Sequence, residues 1–220
     1  MQFIESSDFV GDAVDIIASA LSGEVNRAHR ISLCGGSTPE PVYRALAEVN
    51  LDWSNIEITF GDERCVAPDH NDSNFRMASG SLLSKVPLNG ENVLRMRGEL
   101  DPVDAAREYE DALRQRSNTE IYRHDLILLG MGEDGHIASL FPGTSAINEN
   151  DRWVVSNHVP QKGENRITFT YPIINAARKI LFLIKGQEKR AVVDRVLSGQ
   201  SNLPVSLVDP DEGAVTWLLG

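Results

Sequence analysis

The chain has 220 residues, 41% of them hydrophobic, and a formal net charge of −11 at pH 7, so it is long enough to bury the core of one α/β domain, which we expect to span residues 1–220. Its scattered acidic residues argue against nucleic acid or an anionic membrane as a partner, and any anionic substrate needs a locally basic pocket. The opening MQFIESSDFV has no basic start before an apolar core, and no run of about 18 apolar residues occurs, which predicts a soluble cytosolic protein.

Apolar runs typical of buried strands alternate with helical patterns along the chain. Several of these runs are apolar on both faces, which is typical of strands covered by helices on both sides. The alternation predicts a mostly parallel, doubly wound sheet. The predicted strands are 31–36, 56–63, 125–132, 152–157, 166–171, 179–186 and 204–208. The predicted helices are about 7–22, 39–49, 73–84, 103–116, 136–141 and 187–197.

The first polar junction is LCGGSTPEPVY, in which a strand ends just before Gly35 and Gly36. Ser37 and Thr38 supply hydroxyls, and Pro39 suits the first position of a helix. Free N–H groups at such a helix start form an anion site that favours phosphate. The alternative is an ordinary strand-to-helix turn with a threonine cap. The segment matches neither the Walker P-loop nor GxGxxG, so a sugar phosphate fits better than a nucleotide.

The second junction is TFGDERCVAPDHNDSN, in which a strand is followed by Asp62, Glu63 and Arg64. One interpretation is a solvated loop with a surface ion pair. The functional interpretation makes Arg64 an anion or oxyanion partner and Asp62 a polar group that faces the substrate. Ser73 is predicted to cap a helix that starts at Asn74, which is a structural role.

The third junction, LLGMGEDGHIASLFPG, places Asp134 and His136 in a glycine-rich turn after a buried strand. Histidine is suited to accept and return a proton near neutral pH, so His136 is a candidate general base. The alternative is a histidine that caps a helix or satisfies a core carbonyl. No GxSxG motif supports a serine nucleophile, and water activated by His136 is the simpler mechanism.

Two basic residues stand where an anion pocket could use them, and the sequence has no metal-binding motif. Arg166 opens a predicted strand and Lys189 lies in the first turn of a predicted helix, where each is either a surface charge or part of an anion pocket. Cys34 and Cys65 belong to no CxxC or Cys/His spacing, and no HExxH motif occurs. We therefore expect reduced thiols and no metal.

The three junctions and RITFTYPIINAARKILFLIKGQEKR, in this order and spacing, resemble the motifs of the 6-phosphogluconolactonase family, the hydrolases of the oxidative pentose phosphate pathway. The resemblance runs from about residue 8 to VTWLL near the C-terminus. It implies a modified Rossmann-like, three-layer α/β sandwich with a mostly parallel sheet, known as the glucosamine-6-phosphate deaminase-like fold. It also implies a cytoplasmic, monomeric enzyme that needs no cofactor and acts on a small sugar-phosphate lactone.

The resemblance also implies roles for individual residues. His136 matches the general base, Asp134 its neighbour in the site, and Asp62 a substrate-facing acid. The sugar-phosphate loop corresponds to Gly35, Gly36, Ser37 and Thr38, and the cationic positions to Arg64, Arg166 and Lys189. The sequence leaves open which of these cations bind phosphate and which bind the lactone end.

Two rival functions share this fold. The deaminase/isomerase carries similar loops, but its segment after the histidine typically reads Phe-Asn-Glu-Pro-Gly, and here Phe141 stands where the glutamate would be. A phenyl ring cannot transfer a proton, and Arg64 stands where the deaminase usually has tyrosine, so both positions favour hydrolysis. A non-catalytic sugar-phosphate sensor would keep the phosphate loop, dispense with the His136 turn and carry an additional module.

Overall fold

Six parallel strands form the main sheet of the protein. The computed structural model describes residues 1–23, 26–117, 119–199, 202–210 and 212–220. All neighbouring strands of the main sheet run parallel. Their spatial order is β1 (Gln2–Glu5), β9 (Ala214–Leu219), β8 (Lys179–Ile184), β5 (Leu126–Leu129), β2 (His29–Leu33) and β3 (Ile56–Phe60).

A second sheet has three antiparallel strands, which are β4 (Asp62–Arg64), β7 (Glu164–Phe169) and β6 (Val154–Val159). Gly61 separates β3 from β4 and bonds to both sheets. Its N–H donates to the Leu33 carbonyl at 3.0 Å, and its carbonyl accepts from the Phe169 N–H at 2.8 Å. The predicted strand 56–63 is therefore two strands of two sheets, because the chain changes partner at Gly61.

The helices lie between strands along the chain, as the alternating pattern predicts. They are α1 (Phe9–Ala20), α2 (Pro39–Leu46), α3 (Asn74–Ala78), α4 (Pro102–Arg116), α5 (Tyr171–Asn175) and α6 (Arg190–Leu197). A π-helical turn follows α3 at Ser79–Leu83, and 3-10 turns form at Trp53–Asn55, Gly90–Asn92, Ser145–Asn148, Gln187–Lys189 and Pro204–Leu207. Within the described residues, no helix is long and apolar enough to cross a bilayer.

Two apolar clusters cover the two faces of the main sheet. Side chains alternate between the faces of a strand, and along β5 Leu126 and Leu128 pack in one cluster while Ile127 and Leu129 pack in the other. The first cluster includes residues of α1 and α2, and the second includes residues of α4, α5 and α6. This arrangement confirms the predicted three-layer sandwich with a mostly parallel sheet.

The predicted helix over 136–141 is wrong. The chain forms a turn there, closed by an isolated bridge between Ile137 and Leu140, and Ala138 has a positive φ of 46°. Tertiary hydrogen bonds explain the difference, since the Ser139 N–H donates to Thr168 Oγ1 of β7 at 3.1 Å. These contacts with the small sheet override the local helical pattern.

The predicted strand over 204–208 is also wrong, because Pro204 opens a 3-10 turn there. Three elements escaped prediction. The edge strand β1 has four partly or fully exposed residues and little periodicity. The apolar AVTWLL of β9 is a signal that would have identified the last strand. Finally, α5 begins at Tyr171, at the end of the predicted strand 166–171, with proline in its first turn.

Substitution of Trp217 in β9 measures how much its packing stabilises the main sheet. Its side chain is fully buried, and its ring centroid lies 4.3 Å from that of Phe182 and 5.4 Å from that of Phe3. We expect Trp217→Ala to lower the free energy of unfolding by about 3–5 kcal/mol in a denaturant titration, because it leaves a large cavity. Trp217→Phe keeps a ring and removes an indole N–H without a described partner, so it should cost much less. Equal losses in the two variants would contradict this account.

Candidate active site

A crevice opens where the carboxyl ends of β2 and β5 meet in the middle of the main sheet. The chain continues from β2 to its neighbour β3 on one side, whereas β8 lies beside β5 on the other. Loops that leave the sheet in opposite directions at such a switch point form the usual ligand site of an open α/β sheet. A cavity of about 240 Å³ lies here. Its lining is Cys34, Gly35, Gly36, Ser37, Thr38, Pro39, Asp62, Arg64, Asn74, Gly130, Met131, Gly132, His136, Ala138, Leu183 and Lys189.

The loop after β2 forms one wall of this cavity, from Gly35 to Thr38. Gly36 has a φ of +103°, a conformation that side chains rarely adopt. Thr38 occupies the N-cap position of α2, but its side chain makes no capping hydrogen bond. The alternative of an ordinary threonine-capped turn is therefore not supported. The loop instead presents small residues and hydroxyls to the cavity beside a helix start, which suits a phosphate group.

The turn after β5 holds His136 against Asp134. Asp134 Oδ1 lies 2.5 Å from His136 Nδ1 and also accepts the His136 backbone N–H at 3.1 Å. The Gly132 N–H donates to the His136 carbonyl at 2.9 Å and closes the turn. Because a carboxylate only accepts hydrogen bonds, a neutral His136 carries its proton on Nδ1 and leaves Nε2 unprotonated.

Phe141 stacks on the imidazole of His136, with ring centroids 3.9 Å apart and an interplanar angle of 21°. By the family resemblance this ring stands where the deaminase has glutamate, and here it is in direct contact with the histidine. His136 lines the first cavity and also a second cavity of about 350 Å³. Asp134 lines neither, so it reaches the cavities only through the histidine.

Asp62 lies between the two cavities and belongs to the wall of each. It is 8% exposed and lines both of them. The Ser139 hydroxyl donates to its Oδ2 at 2.6 Å, and Asn74 Nδ2 donates to its Oδ1 at 3.2 Å. The interpretation of Asp62 and Glu63 as a solvated loop is therefore wrong, because both are buried in a strand.

Glu63 is structural. Its carboxylate accepts the N–H groups of Arg64, Asn74 and Phe75, each at 2.8 Å, and the Ser73 hydroxyl at 3.0 Å. Burial raises the pKa of Glu63, and the three backbone N–H groups act in the opposite direction. Ser73 caps α3 by accepting the Arg76 N–H, as the sequence predicts.

The three predicted cations line the two cavities unequally. Lys189 lines the first cavity, beside the loop after β2, and Arg166 lines the second. Arg64 lines both. Arg64 and Arg166 lie opposite each other in the register of β4 and β7. Each has a buried Nε without a hydrogen-bond partner among the described residues, while Arg166 Nη2 pairs with Glu164 at 2.5 Å and Arg64 Nη1 donates to the Asp72 carbonyl.

Sequence reasoning missed Asn74 and Lys162 as cavity residues. The sequence predicts Asn74 only as a helix start, but it is 3% exposed and lines the first cavity. Lys162 follows β6 and lines the second cavity, which gives that cavity a third cation. Neither residue has a local signal in the sequence, because Asn74 reaches its cavity through contacts with Asp62 and Lys162 through the exposed hairpin loop between β6 and β7.

The remaining titratable candidates are poor reactive groups. His124 is fully buried beside Thr59, and burial lowers its pKa to about 3, so it is neutral. Cys34 and Cys65 are free thiols. Burial raises the pKa of Cys34 to about 12 and that of Cys65 to about 11, which keeps both protonated near neutral pH. Among the residues that the structure describes, no cluster of three metal-ligating side chains occurs.

Known proteins share the sequence pattern and the fold of this chain. The family model described as glucosamine-6-phosphate isomerases/6-phosphogluconolactonase matches residues 5–217. A 6-phosphogluconolactonase from Nostoc sp. is 37% identical over 98% of this chain and 92% of its own length. One from Synechocystis sp. is 39% identical over 86% of this chain and 80% of its own length. The crystal structure of a 6-phosphogluconolactonase from Thermotoga maritima superposes with a TM-score of 0.90 at 29% identity, over 100% of this chain and 99% of that one.

Substitution of Gly132 tests whether the missing Cβ at this position allows the turn to hold His136 in place. A Cβ atom at this position would lie 2.2 Å from Nδ1 and Cε1 of His136. We expect Gly132→Ala to displace the imidazole and to lower the free energy of unfolding by about 1–3 kcal/mol, because the side chains are overpacked. Denaturant titration and the imidazole NMR signals measure the two effects.

Gly130→Ala is the matched control, since its Cβ would meet nothing within 4 Å. It should change stability by less than about 1 kcal/mol and leave the His136 signals in place. If the two variants had the same signals and the same stability, Gly132 would not be what holds the turn.

Proposed function

The chain belongs to the glucosamine-6-phosphate isomerase/6-phosphogluconolactonase family, and from this premise we propose that it hydrolyses 6-phospho-D-glucono-1,5-lactone to 6-phospho-D-gluconate, a step of the oxidative pentose phosphate pathway. The names of its relatives support lactone hydrolysis. The observation that carries the proposal is the pairing of Asp134 with His136 on the wall shared by the two cavities.

In the proposed mechanism, His136 is the general base. Asp134 accepts the Nδ1–H at 2.5 Å, so Nε2 has a free lone pair that takes a proton from water. The water oxygen bonds to C1 of the lactone, and the carbonyl becomes a tetrahedral oxyanion. The bond from C1 to the ring oxygen then breaks, and the imidazolium returns its proton to that oxygen. Asp134 stabilises the imidazolium while it exists.

The two cavities suggest how the substrate is oriented. The loop from Gly35 to Thr38 and Lys189 line the first cavity, so we assign the phosphate to it. The lactone end then lies near His136, where Arg64 borders both cavities and supplies positive charge to the oxyanion. The phosphate contacts hold C1 beside the base and therefore assist the chemistry as well as binding.

The deaminase/isomerase alternative is less well supported. That chemistry moves protons between carbons and needs an ionisable group at the position of Phe141. Here that position carries a phenyl ring packed flat against the imidazole, 3.9 Å between centroids. The carboxylate of Asp62 also lines the second cavity, but it stands on β4 and not at the position of the deaminase glutamate.

Other parts of the proposal rest on the sequence and the family. Each chemical step uses water and side chains of one chain, so the proposed reaction needs no cofactor and is compatible with a monomer of one domain. A cytoplasmic location remains a prediction.

Replacing His136 tests the base directly. 6-Phosphogluconolactone generated freshly from glucose 6-phosphate should disappear faster with wild-type protein than without it. His136→Ala should lower kcat by roughly 10²–10⁴ because proton transfer is lost. Asp134→Asn should also lower kcat, because the carboxylate that selects the tautomer is gone.

Unchanged circular dichroism and unchanged binding of 6-phosphogluconate are the controls for these two variants. A correctly folded His136→Ala with wild-type kcat would exclude this residue as the base. A wild-type protein that binds 6-phosphogluconate without accelerating hydrolysis would instead be a sensor.

Incubation with glucosamine 6-phosphate distinguishes the two activities of the family. We expect no release of ammonia by wild-type protein, since Phe141 cannot transfer a proton. Phe141→Glu places a carboxylate against the histidine and should lower lactonase activity. Any deaminase activity of this variant should stay below the lactonase activity of the wild-type protein. Ammonia release by wild type at a rate comparable to its lactone hydrolysis would contradict the assignment.

A further inference from the structure

Asn74 connects the two loops of the site. It is the first residue of α3, it is 3% exposed, and it lines the cavity assigned to the phosphate. Its side-chain amide donates to the Asp62 carbonyl at 2.9 Å and to Asp62 Oδ1 at 3.2 Å. Both partners only accept hydrogen bonds, so the amide nitrogen faces them. Its two N–H donors are therefore used within the protein and do not bind substrate.

The oxygen side of the same amide packs against the phosphate loop. A Cβ at Gly35 would lie 1.8 Å from Asn74 Oδ1 and 2.3 Å from its Cγ. The amide thus occupies the space that a side chain at position 35 would need. As a result, the position of the loop backbone and the position of the Asn74 amide depend on each other.

Asp62 continues the connection to the His136 turn. The Ser139 hydroxyl donates to Asp62 Oδ2 at 2.6 Å, and Ser139 is fully buried. The Ser139 carbonyl in turn accepts from Asn157 Nδ2 at 2.8 Å. Asp62 is therefore held by α3 from one side and by the segment that follows His136 from the other.

We propose that Asn74 is a positioning residue that sets the distance between the phosphate loop and the His136 turn, through its packing on Gly35 and its hydrogen bonds to Asp62. The inference rests on the proposed function, because the two ends of one substrate must contact both loops at once. A displacement of about 1 Å between them is enough to cost about 10²-fold in rate.

Removing the amide should lower activity and affinity together. We expect Asn74→Ala to lower kcat/KM for 6-phosphogluconolactone by about 10²-fold and to weaken binding of 6-phosphogluconate. Ser73→Ala is the matched control at the neighbouring position. The Ser73 hydroxyl caps α3 and bonds Glu63 rather than Asp62, and Ser73 lines neither cavity of the site. This control should lower the melting temperature and leave kcat/KM nearly unchanged.

Asn74→Asp distinguishes positioning from simple space filling, because it keeps the shape and replaces the amide N–H donors by an acceptor. Two carboxyl groups about 3 Å apart cannot both ionise easily, so they share a proton as the pH falls. Once protonated, the carboxyl group introduced at position 74 can donate to Asp62 and restore the connection. The ratio of variant to wild-type kcat/KM should therefore rise as the pH is lowered from about 8 to about 5.

The other charged groups around this pair among the described residues are Glu63, Arg64, His136 and Lys189, together with those that share the second cavity with Asp62, which are Asp72, Lys162, Glu164 and Arg166. They are present in Asn74→Ala as well, for which the ratio to wild type should not depend on pH. If the ratio of variant to wild-type kcat/KM depends on pH in Asn74→Asp but not in Asn74→Ala, the carboxyl group introduced at position 74 is the cause.

Three results would overturn the inference while leaving the lactonase function intact. These are wild-type kcat/KM in Asn74→Ala, a ratio for Asn74→Asp that does not change with pH, and an equal loss in Ser73→Ala. If wild-type protein fails to accelerate hydrolysis, the proposed function is wrong. The positioning role is then tested by binding alone, and it predicts that Asn74→Ala binds 6-phosphogluconate more weakly than wild type and Ser73→Ala does. If wild type does not bind this ligand either, both proposals are wrong.

Discussion

The hydrogen bond between Asp134 and His136 is the interaction on which the proposed chemistry depends. It forms only because the chain leaves the buried strand β5 through a glycine-rich turn, in which Gly132 has no Cβ to collide with the imidazole. The bond fixes the tautomer, so a single side chain is both oriented and ready to accept a proton. Phe141 packs on the other side of the ring and limits its rotation. The same backbone geometry therefore positions both members of the proposed acid–base pair in this segment.

The site as a whole is built at the junction of two sheets. The parallel sheet supplies the loops after β2 and β5, as expected for a switch point. The antiparallel sheet adds Arg64 and Arg166, which register pairing places opposite each other. Gly61 joins the sheets, and Asp62 directly after it receives hydrogen bonds from both sides. The small sheet and the segment before α6 therefore bring Arg64, Arg166 and Lys189 to the two cavities, where acidic residues such as Asp62 and Glu164 also lie.

The sequence allowed the layers, most elements and the two glycine-rich loops to be predicted, because buried parallel strands and the glycines after them are local patterns. The helix over 136–141 was predicted wrongly, because Ser139 bonds to Thr168, which lies 29 residues away along the chain. The same limit hid Asn74, whose role depends on contacts with Gly35 and Asp62. The roles of the cationic residues came from family resemblance, and only the structure divides Lys189 and Arg166 between two cavities.

The measurement that tests the central claim most directly is a crystal structure of the protein with 6-phosphogluconate, the proposed product. We predict that the phosphate contacts the loop from Gly35 to Thr38 and that the C1 carboxylate lies about 3 Å from His136 Nε2, within hydrogen-bond reach of the base. A complex in which the phosphate lies beside His136, or in which C1 is far from the imidazole, would contradict the assignment of His136 as the base.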